Sequence, residues 1–193
     1  YTRNGPVKVA ADLKGVKIRT IESALPLEHV RSLGGLPTPV PWQELYTAFA
    51  TWMVDGTMNS ANDIMTMNFQ EFLKFGVLDR HSFIWLFWWV NETWWKKLPV
   101  DLQTVLLDGF WDLQATANTL PKFREISDTE RFIKAGGAIH SPTPEEYKTF
   151  LPARETVTKW YVGKYGDRWL TMMNEAVARA EKFIVEDNRR RQM

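Results

Sequence analysis

Three side chains that can contact a ligand lie at or just beyond the carboxyl ends of three predicted strands. Arg19 lies near the end of an alternating stretch at residues 16–20, Trp42 follows a short stretch at residues 36–40, and Asn59 closes a third at residues 57–59. A guanidinium is a planar cationic fork that matches a carboxylate. An indole offers an aromatic face, and an amide both donates and accepts hydrogen bonds. The three groups together predict a site for a carboxylate-bearing molecule.

Each of these residues also has an ordinary structural interpretation, which the sequence leaves open. Arg19 can pair with Glu22 or Asp55 at a strand end. Trp42 can be a core tryptophan, and Asn59 can form an Asx-turn after the preceding Asp-Gly stop.

Helical segments separate the three predicted strands. Pro26 suits the first turn of one helix, and apolar residues from Leu45 to Met53 repeat at helical spacing in the next. Gly56 is the expected left-handed cap that ends the second helix. Strands alternating with helices predict an α/β fold with parallel pairing, in which ligands bind outside the carboxyl ends of the strands.

The remainder of the chain is predicted to be mainly helical. Asn62 is the expected N-cap of the next helix, and Pro121 is expected to kink or interrupt a long helical run that begins at residue 101. Residues 77–90 are strand-like, and residues 84–90 are apolar on both faces, as in a buried central strand. A brief strand is predicted at residues 138–140, with helices at about residues 152–164 and 167–188.

The amino-acid composition of the chain argues against several function classes. A formal net charge of +1 argues against a nucleic-acid-binding protein, which usually has a concentrated basic face. The absence of cysteine excludes disulfides, thiolate metal sites and cysteine nucleophiles, although it does not fix the cellular compartment. The three histidines are far apart in sequence, so no metal site is predicted, and no cofactor-binding motif is present.

Several motifs, in order along nearly the whole chain, resemble one family. Residues 12–19 read D-L-K-G-V-K-I-R, and residues 54–59 read V-D-G-T-M-N. Residues 33–48 contain L-G-G-L-P-T-P-V-P-W-Q-E-L-Y-T-A, and residues 94–103 read W-W-K-K-L-P-V-D-L-Q. Residues 137–146 and the position of His81 add to this pattern, which resembles the DctP-type substrate-binding proteins of TRAP transporters.

The resemblance implies a periplasmic-binding-protein-like α/β fold of two lobes. Residues 1–82 are expected to form the second ligand-binding lobe, and residues 83–124 a return segment with a buried strand and a long helix. Residues 125–193 are expected to be a closing helical segment. Most of the N-terminal lobe is expected to be absent, so that the chain is a piece or a processed product of a longer protein.

The resemblance also implies function. The expected protein is a periplasmic receptor that captures an organic acid (a sugar acid, a dicarboxylate or an aromatic acid) and delivers it to TRAP membrane permease subunits. Arg19 is expected to form the main salt bridge to the ligand, Asn59 to hydrogen-bond to it and Trp42 to pack against it, with Ser23 and Thr57 completing the set. Thr57 and Met58 replace the Gln-Glu of the family, so the identity of the ligand cannot be carried over.

Two alternatives come from other function classes. His81 with Asp79 could form an acid-base pair in a small α/β enzyme, but no nucleophile elbow, phosphate loop or paired-carboxylate motif accompanies them. The ten tryptophans could indicate a carbohydrate-binding module, but such modules are usually all-β, which the helical periodicity opposes. The sequence therefore favours a receptor without catalytic residues.

Overall fold

A small parallel sheet carries the residues of interest. The computed structural model describes residues 1–82 and 87–191. Strands β1 (Lys17–Thr20), β2 (Leu36–Pro39) and β3 (Gly56–Thr57) pair in the order β2-β1-β3, and both pairs are parallel. The two prolines of β2 are tolerated because this strand lies at an edge of the sheet. Edge placement is what the sequence requires of this strand.

A second parallel pair lies beyond β3. It consists of β4 (Phe75–Val77) and β5 (Ala138–His140), the latter at the predicted residues. Thr2 forms antiparallel bridges to both Gly56 and Phe75, so it lies between the two groups of strands. The backbone N–H of Thr57 donates to the carbonyl of Tyr1 at 2.9 Å. The amino-terminal residues thus join β3 to β4.

Helices cover and extend these strands. The helical elements are α1 (Ala24–Ser32), α2 (Leu45–Ala50), α3 (Ala61–Thr66), α4 (Glu92–Lys97), α5 (Val100–Lys134), α6 (Pro144–Lys148), α7 (Leu151–Tyr165) and α8 (Arg168–Arg191). None of the described helices combines the length and apolar character that a membrane span requires.

The core lies between α2, α3 and the last turns of α5. Phe49, Phe69 and Phe132 have no exposed surface, and Phe132 brings α5 into this cluster. A polar contact fixes the same helix, since Asn62 Nδ2 donates to buried Asp128 at 2.7 Å and Arg131 pairs with Asp128 at 2.8 Å. The carboxyl-terminal part of α5 is therefore anchored to the sheet domain.

Three details of the predicted elements are wrong. Gly56 is not a left-handed cap but part of β3, and the positive φ of 60° near the end of α2 belongs to Trp52. Ser60, not Asn62, caps α3, because the Ser60 hydroxyl accepts from the N–H of Asp63. Pro121 does not interrupt the helical run, because α5 continues through it from Val100 to Lys134; the kink stays a prediction.

The described part of the predicted central strand at residues 84–90 is not a strand. Residues 84–86 lie outside the described residues. Residues 87–90 form no strand and are exposed, with Trp89 at 86%. A strand that is apolar on both faces needs a packing partner on each, and the described chain supplies none for this stretch.

Candidate functional site

Arg19 and Thr57 are held side by side by the pairing of β1 with β3. They are directly paired in the parallel register, close to the carboxyl ends of both strands. Asn59 follows Thr57 by two residues. The sheet therefore brings three of the predicted residues to one edge, which is where open α/β sheets bind ligands.

Arg19 is a buried cation, with only 7% of its surface exposed. Its Nε donates to the carbonyl of Val40 at 2.9 Å. No carboxylate of the described residues lies within salt-bridge distance of its guanidinium, and the candidate partner Asp55 instead accepts from the backbone N–H of Lys17 at 3.0 Å. Burial lowers the pKa of Arg19 from its ordinary value. The internal ion pair that the sequence left open is thus not formed.

Trp42 lies against Arg19 and the core at once. It begins a 3₁₀ turn, Trp42–Glu44, and its ring centroid is 5.6 Å from the guanidinium carbon of Arg19. Its ring also meets Phe69 edge-on, with centroids 5.6 Å apart. Both interpretations of Trp42 therefore have a structural basis, because the indole packs on the core while it faces the buried cation.

A short row of hydrogen bonds holds Asn59. The hydroxyl of Thr57 donates to Asn59 Oδ1 at 2.6 Å, and Asn59 Nδ2 donates to Asp63 Oδ2 at 3.1 Å. Thr57 is almost fully buried, with 1% of its surface exposed. These are contacts between side chains, so Asn59 is oriented by its neighbours and not by an Asx-turn.

Ser23 stands apart from the other four predicted residues. It is the N-cap residue of α1, it is exposed, and its side chain makes no capping hydrogen bond. The described contacts do not join it to Arg19, Trp42, Thr57 or Asn59.

A cavity of about 1140 Å³ opens beside the Asn59 end of this edge. Its lining includes Thr57 and Asn59 from β3 and the loop that follows it, Ile18 from β1, and Leu120 and Arg124 from α5. Arg19, Trp42 and Ser23 do not line it. Consecutive residues of a strand point to opposite faces, and of Ile18 and Arg19 only Ile18 lines this cavity. Thr57, the register partner of Arg19, lines it as well.

Asp63 is a residue of this site that the sequence interpretation missed. The signal was available, because Ser60 and Asp63 have the S-x-x-D spacing of a capping box. That spacing predicts a cap, but only the structure shows that the same carboxylate also accepts from Asn59. The contribution of α5 to the cavity had no local signal in the sequence.

The two residues of the alternative acid-base pair, His81 and Asp79, are in contact. His81 Nδ1 lies 2.7 Å from Asp79 Oδ1, and the His81 ring stacks on His29 with centroids 5.1 Å apart. Burial, the largest influence on Asp79, opposes ionisation, but the hydrogen bond from His81 and nearby positive charge lower its pKa overall. Burial also lowers the pKa of His29. No nucleophile was predicted beside this pair.

Metal ligands are not assembled in the part of the chain that the structure describes. No group of three or more histidine, aspartate or glutamate side chains there has an arrangement that could hold a metal ion. The absence of a metal remains a prediction from the sequence.

The family model described as "Bacterial extracellular solute-binding protein, family 7" matches residues 1–164. The chain belongs to this family. The resemblance drawn from the motifs is therefore confirmed.

Among curated relatives, the C4-dicarboxylate-binding periplasmic protein DctP of Rhodobacter capsulatus is 28% identical over 144 residues, which are 74% of this chain and 43% of the relative. The 2,3-diketo-L-gulonate-binding periplasmic protein YiaO of Escherichia coli is 33% identical over 104 residues, covering 54% of this chain and 32% of the relative. The chain spans less than half the length of these two relatives.

Solved structures confirm the fold. A TRAP periplasmic solute-binding protein from Anaerococcus prevotii with bound D-glucuronate matches with a TM-score of 0.82 at 24% identity, over 94% of this chain and 57% of that one. A TRAP periplasmic solute-binding protein from Desulfovibrio salexigens with bound orotic acid matches with a TM-score of 0.79 at 24% identity. The match covers 92% of this chain and 58% of that one. The predicted α/β fold of periplasmic binding proteins is thus confirmed. The division at residues 82 and 124 stays a prediction, and α5 runs continuously across the second boundary.

Proposed function

We propose that the complete protein containing this chain is the periplasmic receptor of a TRAP transporter. It captures an organic acid and delivers it to the membrane permease subunits without changing it chemically. The family and the names of the relatives, which are binding proteins for C4-dicarboxylates and 2,3-diketo-L-gulonate, support this role.

The observation that carries the proposal is the buried guanidinium of Arg19 without a carboxylate partner among the described side chains. A buried charge is costly unless it is paired and hydrogen-bonded. Only Nε of Arg19 has a described partner, the carbonyl of Val40. The carboxylate of a bound acid supplies the missing negative charge and accepts two parallel hydrogen bonds from the terminal nitrogens.

Trp42 and Asn59 complete the proposed contacts. Trp42 lies across the guanidinium of Arg19 and limits where its fork can point. Asn59 supplies an oriented amide at the cavity end of the same strand edge. Thr57 links the two ends, since it is paired with Arg19 and donates to Asn59. Ser23 stays an expected ligand contact without further structural support.

The class of ligand, but not its identity, has support from the solved neighbours. Two of them were solved with bound D-glucuronate and bound orotic acid, and a third neighbour from Shewanella oneidensis, with a TM-score of 0.77, has bound succinate. All three ligands carry a carboxylate, which is the group that Arg19 suits.

A binding experiment tests this function. The complete protein is titrated with succinate, D-glucuronate and orotate, and with glucose as an uncharged control, by isothermal titration calorimetry. We expect at least one acid to bind and glucose not to bind. Arg19→Ala should lower the affinity for that acid by about 100-fold, because truncating one partner of a buried charge pair costs several kcal/mol.

Arg31→Ala is the matched control for Arg19→Ala. Arg31 is an exposed arginine of α1 that pairs with Glu28 at 3.5 Å. Its loss should leave the affinity for the acid unchanged. Equal affinity in the Arg19→Ala and parent proteins, or equal binding of glucose and the acids, would contradict the proposal.

A further inference from the structure

The hydrogen bonds around Asn59 run in one direction. Thr57 donates its hydroxyl proton to Asn59 Oδ1 at 2.6 Å, and Asn59 Nδ2 donates to Asp63 Oδ2 at 3.1 Å. A carboxylate only accepts hydrogen bonds. The nitrogen of the Asn59 amide must therefore face Asp63, which leaves its oxygen facing Thr57.

This direction determines what Asn59 can offer a ligand. An amide NH₂ group has two N–H donors, and one of them is used by Asp63. The amide oxygen is already an acceptor for Thr57. A second N–H therefore stays available as a donor beside the cavity that Asn59 lines. Such a donor suits an oxygen acceptor of a bound acid.

We propose that Asp63 is a positioning residue for ligand binding, which fixes the amide of Asn59 so that its second N–H faces an acceptor oxygen of the bound acid. This inference rests on the proposed receptor function. Asp63 does not itself line the cavity, so its effect on the ligand passes through Asn59. Without Asp63, the amide can turn over and present its oxygen to the acid, where two acceptors would face each other.

Asp63 has a second role that a test must separate from the first. Its Oδ2 also accepts from the backbone N–H of Ser60 at 3.2 Å, and the N–H of Asp63 donates to Ser60 Oγ at 3.1 Å. These two contacts form the cap of α3. Ser60→Ala removes part of this cap but leaves the contact between Asp63 and Asn59 in place, so it is the matched control for the cap. Ser60 also lines the cavity, and the alanine keeps its backbone and Cβ there.

The first measurement is affinity in the complete protein. The probe is whichever of succinate, D-glucuronate and orotate binds the parent protein most tightly by calorimetry. We expect Asp63→Ala to lower the affinity for this acid at least tenfold. Ser60→Ala should change the affinity less than twofold. Both substitutions should lower the melting temperature, because both damage the same cap. Equal losses of affinity in the two variants would overturn the proposal.

The second measurement needs no ligand. The side-chain NH₂ signals of Asn59 are assigned in a ¹⁵N-correlated NMR spectrum by their disappearance in Asn59→Asp. Asp63→Ala should shift the proton that is bonded to the carboxylate and reduce the difference between the two N–H protons, whereas Ser60→Ala should leave both signals in place. Unchanged signals in Asp63→Ala would refute the positioning role. Failure of the parent protein to bind any acid would instead refute the receptor function.

Discussion

At the scale of single residues, the environment of Arg19 requires a fork-shaped cation. Its Nε is already held by the carbonyl of Val40, and Trp42 lies across the guanidinium. A lysine keeps the positive charge, but its ammonium is a point charge that cannot form two parallel hydrogen bonds while it also satisfies Val40. We therefore predict that Arg19→Lys lowers the affinity of the complete protein for the acid by about tenfold or more.

Calorimetric titration with the acid that binds the parent protein checks this prediction. The melting temperature of the variant without ligand shows whether the fold is retained. An unchanged dissociation constant would mean that charge alone, and not the shape of the guanidinium, holds the acid.

The cluster of His29, His81 and Asp79 predicts a dependence of stability on pH. Burial lowers the pKa of His29 in the folded state, and the neighbouring His81 adds to this effect while Asp79 opposes it. A folded-state pKa below the unfolded value of about 6.5 means that the unfolded chain binds more protons. Stability should therefore fall as the pH drops below about 6.5.

His29→Phe should flatten this dependence, because it removes the group that resists protonation. Melting temperatures measured from pH 7.5 to 5 should fall in the parent protein and fall less in the variant. Asp79 acts in a lower window: its folded-state pKa is lowered, so its contribution is present above about pH 4 and is lost only as the pH falls further. Parallel curves for parent and variant would contradict the assignment to His29.

At the scale of elements, Gly56 sets how closely the amino-terminal residues approach β3. A methyl group at this position would overlap the carbonyl oxygen of Tyr1 and lie 3.0 Å from the side chains of Ile18 and Thr2. Backbone atoms cannot yield as a flexible side chain does, so one strand would have to move. We predict that Gly56→Ala lowers the free energy of unfolding by about 2 kcal/mol or more.

Gly109 provides the control in the same chain. It lies within α5, and a methyl group there would meet nothing within 4 Å. Because alanine favours a helix over glycine, Gly109→Ala should stabilise the protein by about 0.5–1 kcal/mol. Urea unfolding of both variants checks the pair of predictions, and a neutral effect of Gly56→Ala would mean that the strands are not packed as closely as described.

The sequence predicted the elements wherever local pattern and local packing agree. β5 and β1 were found because apolar alternation and glycine punctuation coincide there. The interruption expected at Pro121 was wrong because a local breaker does not end a helix whose two halves are otherwise favourable. Gly56 was assigned to a helix cap because the sequence does not reveal that Tyr1 passes beside it.

The candidate site was predictable only as a set of residue types. Motif resemblance selected Arg19, Trp42, Thr57 and Asn59, and the parallel register does connect Arg19 with Thr57. Which of the predicted residues line the cavity depends on the direction of each side chain along the strands and on α5, which is distant in sequence. Non-local packing of this kind leaves no periodic signal.

At the scale of the whole molecule, the helical half of the chain exposes a large apolar surface. On α5, Trp111, Phe123 and Ile126 are 69%, 67% and 64% exposed, and Trp89 before α4 is 86% exposed. Large exposed apolar patches mark surfaces that bind protein, membrane or ligand, or that promote aggregation. Since the curated relatives DctP and YiaO are more than twice as long as the part this chain matches, we propose that further polypeptide of the complete protein covers this surface.

This proposal predicts opposite outcomes for the same substitutions in two settings. In the 193-residue chain alone, Trp111→Gln and Phe123→Gln should lower the fluorescence of the hydrophobic dye ANS without lowering the melting temperature, because neither side chain is packed. The complete protein should bind little ANS. In it, each of these two substitutions should lower the free energy of unfolding by about 2 kcal/mol or more, because buried aromatic contacts are lost. Asp112→Gln, an exposed polar change on the same helix, should have little effect in either setting. If Trp111→Gln and Phe123→Gln were neutral in the complete protein, this surface would be exposed there too, and the proposed cover would have to be abandoned.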